Sequence, residues 1–272
     1  MSSNISPPPP LRLQLDHARI IPWLWAMMAA LLALSVTGNI IRATTGHETA
    51  LGLVPLFDVD REQSVPTFFS ACLLLGASGL LALAAAGERA RRAPFAKHWG
   101  GLAAGFLYLA TDEVAGLHEQ FGPFARFLIP EDFSASLHRC WVISGVIGVA
   151  LVSGLYARFV WHLPAAARGE FLRAGLTYLG GAIGVEVFST IYWEPHPTGW
   201  SHSALPTLEE GMEMAGVILF IGALLRHLAG AKLAVAIAQP ASAPSLAPTG
   251  DAAPSASGSN GPSLPQLAAC PR

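Results

Sequence analysis

Val65-Pro66-Thr67-Phe68-Phe69-Ser70-Ala71-Cys72-Leu73-Leu74-Leu75-Gly76-Ala77-Ser78-Gly79-Leu80-Leu81-Ala82-Leu83-Ala84-Ala85-Ala86-Gly87 carries no charged side chain from end to end. A hydrocarbon core of about 30 Å is crossed by about 20 helical residues, and this run is long enough. Its apolar residues occupy every face of a helix, whereas a helix on the surface of a soluble bundle shows one apolar stripe at a 3.6-residue period. Five further apolar runs of spanning length lie at Ile20–Ile41, Trp99–Glu119, Leu137–Trp161, Phe171–Trp193 and Pro206–Ala229. The run from Phe171 is the most interrupted, by Glu186 and several glycines. The expectation is an all-α, polytopic transmembrane bundle of about six helices.

Composition agrees. Hydrophobic residues make up 52% of the chain and charged residues 12%, against about 25% charged in a typical soluble domain. The mean hydropathy is +0.46. A net charge of −2 offers no basic face for nucleic acid, so the expected partners are the lipid bilayer and a lipid or small-molecule substrate. Cys72 and Cys140 lie in apolar runs and Cys270 in the tail, a distribution that suits small buried hydrophobes better than a disulfide framework. Residues 1–19 read as a disordered lead containing Pro7 to Pro10, residues 20–229 as the membrane domain, and residues 230–272 as a disordered tail rich in Pro, Ala, Ser and Gly. The first apolar run exceeds the length of a signal-peptide core and has no clean small-residue cleavage site, so it reads as an uncleaved helix.

The basic residues orient the bundle. Six helices place both termini on one side, with Arg12, Arg19, Arg89, Arg91, Arg92, Lys97, Arg158, Arg168, Arg173, Arg226, Lys232 and Arg272. The other side keeps only Arg42, Arg61, Arg126 and Arg139. By the positive-inside rule the termini are cytoplasmic, which for a bacterial inner membrane turns the opposite end toward the periplasm.

Acids and histidines gather at that opposite end. Asp112-Glu113-Val114-Ala115-Gly116-Leu117-His118-Glu119 closes the third apolar run, His138 opens the fourth, Glu186 lies within the fifth, and Glu209-Glu210-Gly211-Met212-Glu213 opens the sixth. Ionisable groups at membrane depth are costly and mark functional sites by default. At 1.5 Å per residue, Asp112, Glu186 and Glu213 fall roughly 10 Å inside the outer boundary. Glu209, Glu210 and Glu213 share about 100° of helical arc. Asp112 and Glu119, seven apart, share a face from which Glu113 and His118 diverge by about 100–120°. Glu209 and Glu210 also suit the first turn of a helix, where acids favour the positive end of the dipole. The outer loops, Gly52 to Glu62 and Trp193 to His202, stand where they would roof such a site.

Close carboxylates in a low dielectric share protons or bind a cation. The candidate metal ligands are Asp112, His118, Glu119, His138, Glu186, Glu209 and Glu213; the candidate catalytic groups are Glu213, Asp112 and Glu186. Carboxylates mixed with imidazole suit zinc, iron or manganese, and an all-oxygen shell suits calcium. Neither the Glu-x-x-His pair of di-iron bundles nor the His-Glu-x-x-His of zincins is present.

Phe57 to Ser70 reads Phe-Asp-x-Asp-x-Glu-x-x-x-Pro-Thr-x-Phe-Ser, and Asp112 to Glu119 reads Asp-Glu-x-x-x-x-His-Glu. With the acidic start of the sixth helix, these stretches resemble a group of uncharacterised bacterial polytopic membrane proteins. That resemblance covers roughly Ile20 to Ala229 and implies a shared fold and an outer acidic site, with no activity to transfer. Ser134-Ala135-Ser136-Leu137-His138 is similar to the Ser-x-x-x-His of ceramidase and adiponectin-receptor-type membrane hydrolases, whose paired late histidines and seventh helix this chain lacks. Three function classes stay open: a metal-dependent membrane-embedded enzyme acting on a lipid or small apolar substrate, a proton- or cation-coupled transporter, and a non-catalytic cation-binding sensor or assembly factor.

Overall fold

The computed structural model describes residues 17–47, 49–117, 141–189 and 201–230. Among them α1 spans His17–Thr45, followed by a single 3-10 turn at Ala50–Gly52 and the short α2, Leu53–Phe57. Next come α3 (Val65–Ala90), α4 (Ala96–Ala115) and α5 (Trp141–His162). Helix α6 runs Ala165–Phe188, and α7 spans Ser201–Gly230. No strand occurs among the described residues. Five helices, α1, α3, α5, α6 and α7, are long and apolar enough to cross a membrane. Helix α4 is the sixth long helix; His98, Asp112 and Glu113 lower its hydropathy. The terminal lead through residue 16 and the tail from residue 231 lie outside the described residues.

Each boundary has a local cause. Helix α3 starts at Val65 because the Ser64 hydroxyl accepts the Thr67 N–H at 3.3 Å while Pro66 occupies the first turn, where its missing N–H costs nothing. Helix α4 stops earlier than its apolar run suggests. It ends at Ala115, with Gly116 left-handed at φ 56° and its N–H donating to the Asp112 carbonyl at 2.8 Å. Helix α6 begins at Ala165, ahead of the expected Phe171, and Gly180–Val185 adopts a π turn where the sequence looked merely interrupted.

Contacts at one end fix the alternation of the helices. Arg226 near the end of α7 meets Glu170 of α6 at 3.1 Å and the His17 ring nitrogen of α1 at 2.7 Å. The ring of Trp99, early in α4, stacks on that of His227 at 5.0 Å, and Phe95 meets His162 of α5 at 4.8 Å. The starts of α1, α4 and α6 therefore share an end with the finishes of α5 and α7. Asp112, Glu113, Glu209, Glu210 and Glu213 lie toward the other end.

The core collects Leu74 and Leu81 of α3, Trp99 of α4, Phe159 of α5, Phe171 of α6 and Ile218 and Leu224 of α7. Trp99 meets Phe159 edge-on at 5.1 Å, and Phe220 stacks on Phe106 at 4.8 Å; each such pair adds about 0.5–1.5 kcal/mol beyond burial. Helices α3 and α4 are also joined by the Ser78 hydroxyl donating to the Ala103 carbonyl at 2.8 Å. In contrast, α5 exposes Val146, Ile147, Leu151, Leu155 and Trp161, the apolar surface expected of a helix that meets lipid.

Helices α6 and α7 meet at backbone distance at two glycines. A Cβ added to Gly216 would lie 2.6 Å from the Tyr178 nitrogen and 2.8 Å from its Cα, and one added to Gly181 would lie 2.7 Å from the Glu209 carbonyl oxygen. Small residues permit such backbone contact between membrane helices. Gly216→Ala is expected to destabilise the bundle by about 1–3 kcal/mol through overpacking, read as a lower thermal midpoint in detergent. Gly105→Ala, where an added Cβ meets nothing within 4 Å, is the control and should be neutral or stabilising by up to about 1 kcal/mol from helix propensity.

Candidate functional site

The first turns of α7 carry Glu209, Glu210 and Glu213, all half-buried. The glycine seam brings α6 and α7 together there, with the Glu213 side chain against Gly181. A Cβ on Gly181 would stand 3.0 Å from the Met212 Cβ and 3.2 Å from the Glu213 Cγ. One turn earlier on α6, the Tyr178 hydroxyl donates a hydrogen bond to the Glu213 carboxylate.

The second wall is the end of α4. Among neighbouring charges, Glu113 bears most strongly on Glu213, followed by Glu209 and then Asp112. Glu113 also acts on Tyr178 and on Glu210. The helical phase that paired Asp112 with Glu119 lapses at Gly116, because the left-handed residue ends the helix between them. Glu113, which that phase turned aside, is the α4 carboxylate with the greatest effect on Glu213 and Tyr178.

The loop between α2 and α3 adds a third element. Asp58 is buried, 7% exposed, and its carboxylate faces the Arg42 guanidinium of α1 at 3.6 Å. Arg42 in turn donates to the Asn39 side-chain oxygen at 2.7 Å. The Val59 N–H donates to the Ser35 hydroxyl at 3.2 Å, and the Thr67 hydroxyl donates to the Arg61 carbonyl at 2.8 Å. Held between these anchors, Asp60 comes into electrostatic range of Glu210. Asp58 therefore serves as a fastening and Asp60 as a contributor to the site's charge.

Glu186 is the next acid along α6. It is buried, 2% exposed, just beyond the π turn. Since Gly181 faces Glu209 and Glu213, Glu186 lies about 7 Å farther along α6, by 1.5 Å per residue. The single depth expected for Asp112, Glu186 and Glu213 thus divides into two levels. Eight residues of ideal helix from Tyr178 would leave Glu186 about 80° off the Tyr178 face, and the wider π turn removes much of that offset. His118, Glu119 and His138 lie outside the described residues, as do residues 190–200 of the second outer loop.

The described donors are all oxygen: the carboxylates of Asp60, Asp112, Glu113, Glu209, Glu210 and Glu213 and the hydroxyl of Tyr178. Among the described residues, no three His, Cys, Asp or Glu side chains converge closely enough to hold a metal ion directly. Zinc requires three or four direct protein ligands. Magnesium-like ions keep several waters and use one or two carboxylates, a binding mode that this wider arrangement suits better.

Tyr178 escaped the sequence reading because a neutral phenol inside the apolar run from Phe171 carries no charge signal. Asp60 offered only an acid-rich loop, and its electrostatic reach to Glu210 depends on a loop held by Arg42 and Ser35, distant in sequence.

The chain belongs to the family described as "Domain of unknown function (DUF8692)", which matches residues 23–228. No curated protein and no solved structure matches it.

Asp58→Ala should free the loop. Hydrogen exchange of the amides from Val59 to Ser64 is expected to quicken, with a stability loss of about 1 kcal/mol given Arg42's partial exposure. Unchanged exchange there would mean that the Arg42 contact does not hold the loop.

Proposed function

We propose that this protein is a membrane-embedded enzyme whose outward-facing carboxylate site takes a divalent cation and acts on a lipid or small apolar substrate from the adjoining leaflet. The observation that carries the reading is the company Glu213 keeps: the neighbouring charges that bear on it are the carboxylates of Glu113, Glu209 and Asp112. Acids gathered in this way are stabilised by a bound cation. The oxygen-only donors favour manganese or calcium over zinc; a mixed shell with iron or zinc would draw on His118, Glu119 or His138. A bound cation would supply activation of water or polarisation of a substrate carbonyl or phosphoryl oxygen. Glu213, held by Tyr178, is placed to accept or return a proton, and Glu113 and Glu209 to balance the cation's charge. Asp112 flanks them on α4, and Glu186 is buried just beyond the π turn, farther along α6.

A proton-coupled transporter is the second reading, favoured by the π turn at Gly180–Val185 within a spanning helix. Transporters commonly place interrupted helices beside their ion sites.

Metal analysis of the detergent-purified protein separates the two. The enzyme reading expects stoichiometric metal in the wild type and its loss in both Glu213→Gln and Asp112→Asn. Folded protein without metal, together with proton-driven uptake in proteoliposomes, would support the transporter. Orientation has its own test, after Cys72, Cys140 and Cys270 are replaced by serine. Arg61→Cys should then react with an impermeant maleimide in intact cells, and Arg91→Cys only after permeabilisation. The reverse pattern would place the acidic site on the cytoplasmic side.

A further inference from the structure

The chain between α1 and α3 folds back beside the helix it has just left. A Cβ added to Gly38 of α1 would lie 3.6 Å from both the Cα and a side-chain methyl of Val54, which is buried. Five residues on, the Val59 N–H donates to the Ser35 hydroxyl at 3.2 Å. The first apolar run closes at Ile41, so Gly38 and Ser35 lie about 5 and 9 Å inside its end at 1.5 Å per residue. The buried Asp58 carboxylate faces the Arg42 guanidinium, the partner that a charge beside hydrocarbon requires. A segment at this depth must also satisfy its own amides, because lipid tails accept no hydrogen bond. The Gly52 N–H donates to the Thr49 carbonyl at 2.8 Å, the Val54 N–H to the same carbonyl at 3.3 Å, and the Leu53 N–H to the Ala50 carbonyl.

The outward side chains are apolar. Leu51 is fully exposed, and Leu53 and Leu56 are exposed beside it. Ala50, Leu51 and Gly52 are all left-handed, at φ 39°, 60° and 88°. A glycine would take the Leu51 conformation without the steric cost that a side chain brings, and a fully exposed leucine gains no packing within the chain to offset it. Leu34 and Ile41, within about 60° of Gly38 around α1, are exposed as well. The segment therefore extends an apolar surface that a spanning helix already turns outward. We propose that residues 50–57 form an interfacial insert, bedding Leu51, Leu53 and Leu56 in the acyl-chain boundary of the leaflet at the acidic end. Its partner is the lipid surface itself, to the depth of about 5–10 Å reached by helices that lie in the plane of a bilayer. Asp58 follows directly, so the same contact steadies the loop that Arg42 fastens. The insert is independent of the reaction or transport at the acidic site.

The experiment uses the full chain with Cys72, Cys140 and Cys270 replaced by serine, in nanodiscs of phosphatidylcholine and phosphatidylglycerol. A nitroxide is attached in turn at Leu51→Cys, Leu53→Cys and Leu56→Cys. Leu151→Cys on the exposed apolar surface of α5 and Glu62→Cys in the exposed stretch before α3 are the lipid and water references. Collisions of the label with molecular oxygen and with a water-soluble nickel chelate are read by electron paramagnetic resonance. The three leucine positions should resemble Leu151→Cys, with oxygen collisions exceeding nickel collisions several-fold, and Glu62→Cys should reverse that ratio. A nickel preference at two or more of the three puts the segment in water and overturns the proposal. Few collisions with either reagent mean that a second copy or another protein covers the leucines, which overturns it equally. Where a cysteine variant does not fold, the wild type is irradiated in nanodiscs containing a phosphatidylcholine with a diazirine on its acyl chain. Adducts within residues 50–57 support the insert, and their absence beside adducts on α5 overturns it.

Discussion

The close approach of α6 and α7 governs the rest of the acidic end. At Gly216 and Gly181 the two helices meet with almost no side chain between them. In a bilayer the hydrophobic effect gives helices little reason to associate, so close van der Waals contact between small residues carries much of the attraction. The seam therefore does two things. It joins the helices, and it forces the polar groups on either side of it, Tyr178 and Glu213, into one hydrogen bond. Aromatic packing of Trp99, Phe159, Phe171 and Phe220 joins the helices toward the opposite end.

A second constraint comes from charge. Glu113, Glu209, Glu210 and Glu213 are brought within range of one another by helices that are far apart in sequence. Folding against such repulsion requires compensation, and at Glu213 the Tyr178 hydroxyl supplies part of it. The Arg42–Asp58 contact shows the chain spending its nearby guanidinium on the loop.

Much of the architecture was legible in the chain. The six apolar runs correspond to six long helices among the described residues, and Ser64-Val65-Pro66 marked the start of α3 through capping chemistry that acts within four residues. The acidic character of one end was legible too, since it needs only helix direction and the positions of Asp112, Glu113 and Glu209 to Glu213. The membership of the site was harder. Helical phase favoured Asp112 with Glu119, and a single glycine in the left-handed conformation ends that phase. Depth counting put Glu186 level with Glu213, and the register of α6 against α7 separates them.

By itself, the sequence determined length, hydropathy and the end of the bundle where the acids collect, because these depend on local composition and on the fixed rise of a helix. Only the tertiary structure decided that Tyr178 bonds Glu213, that Glu113 is the carboxylate acting most strongly on it, and that Asp60 comes within electrostatic range of Glu210. Those relations depend on helix register and rotation. They are set by where glycines let backbones touch and by loop anchors such as Ser35 and Arg42, whose partners lie many residues away and leave no periodic signal in the chain.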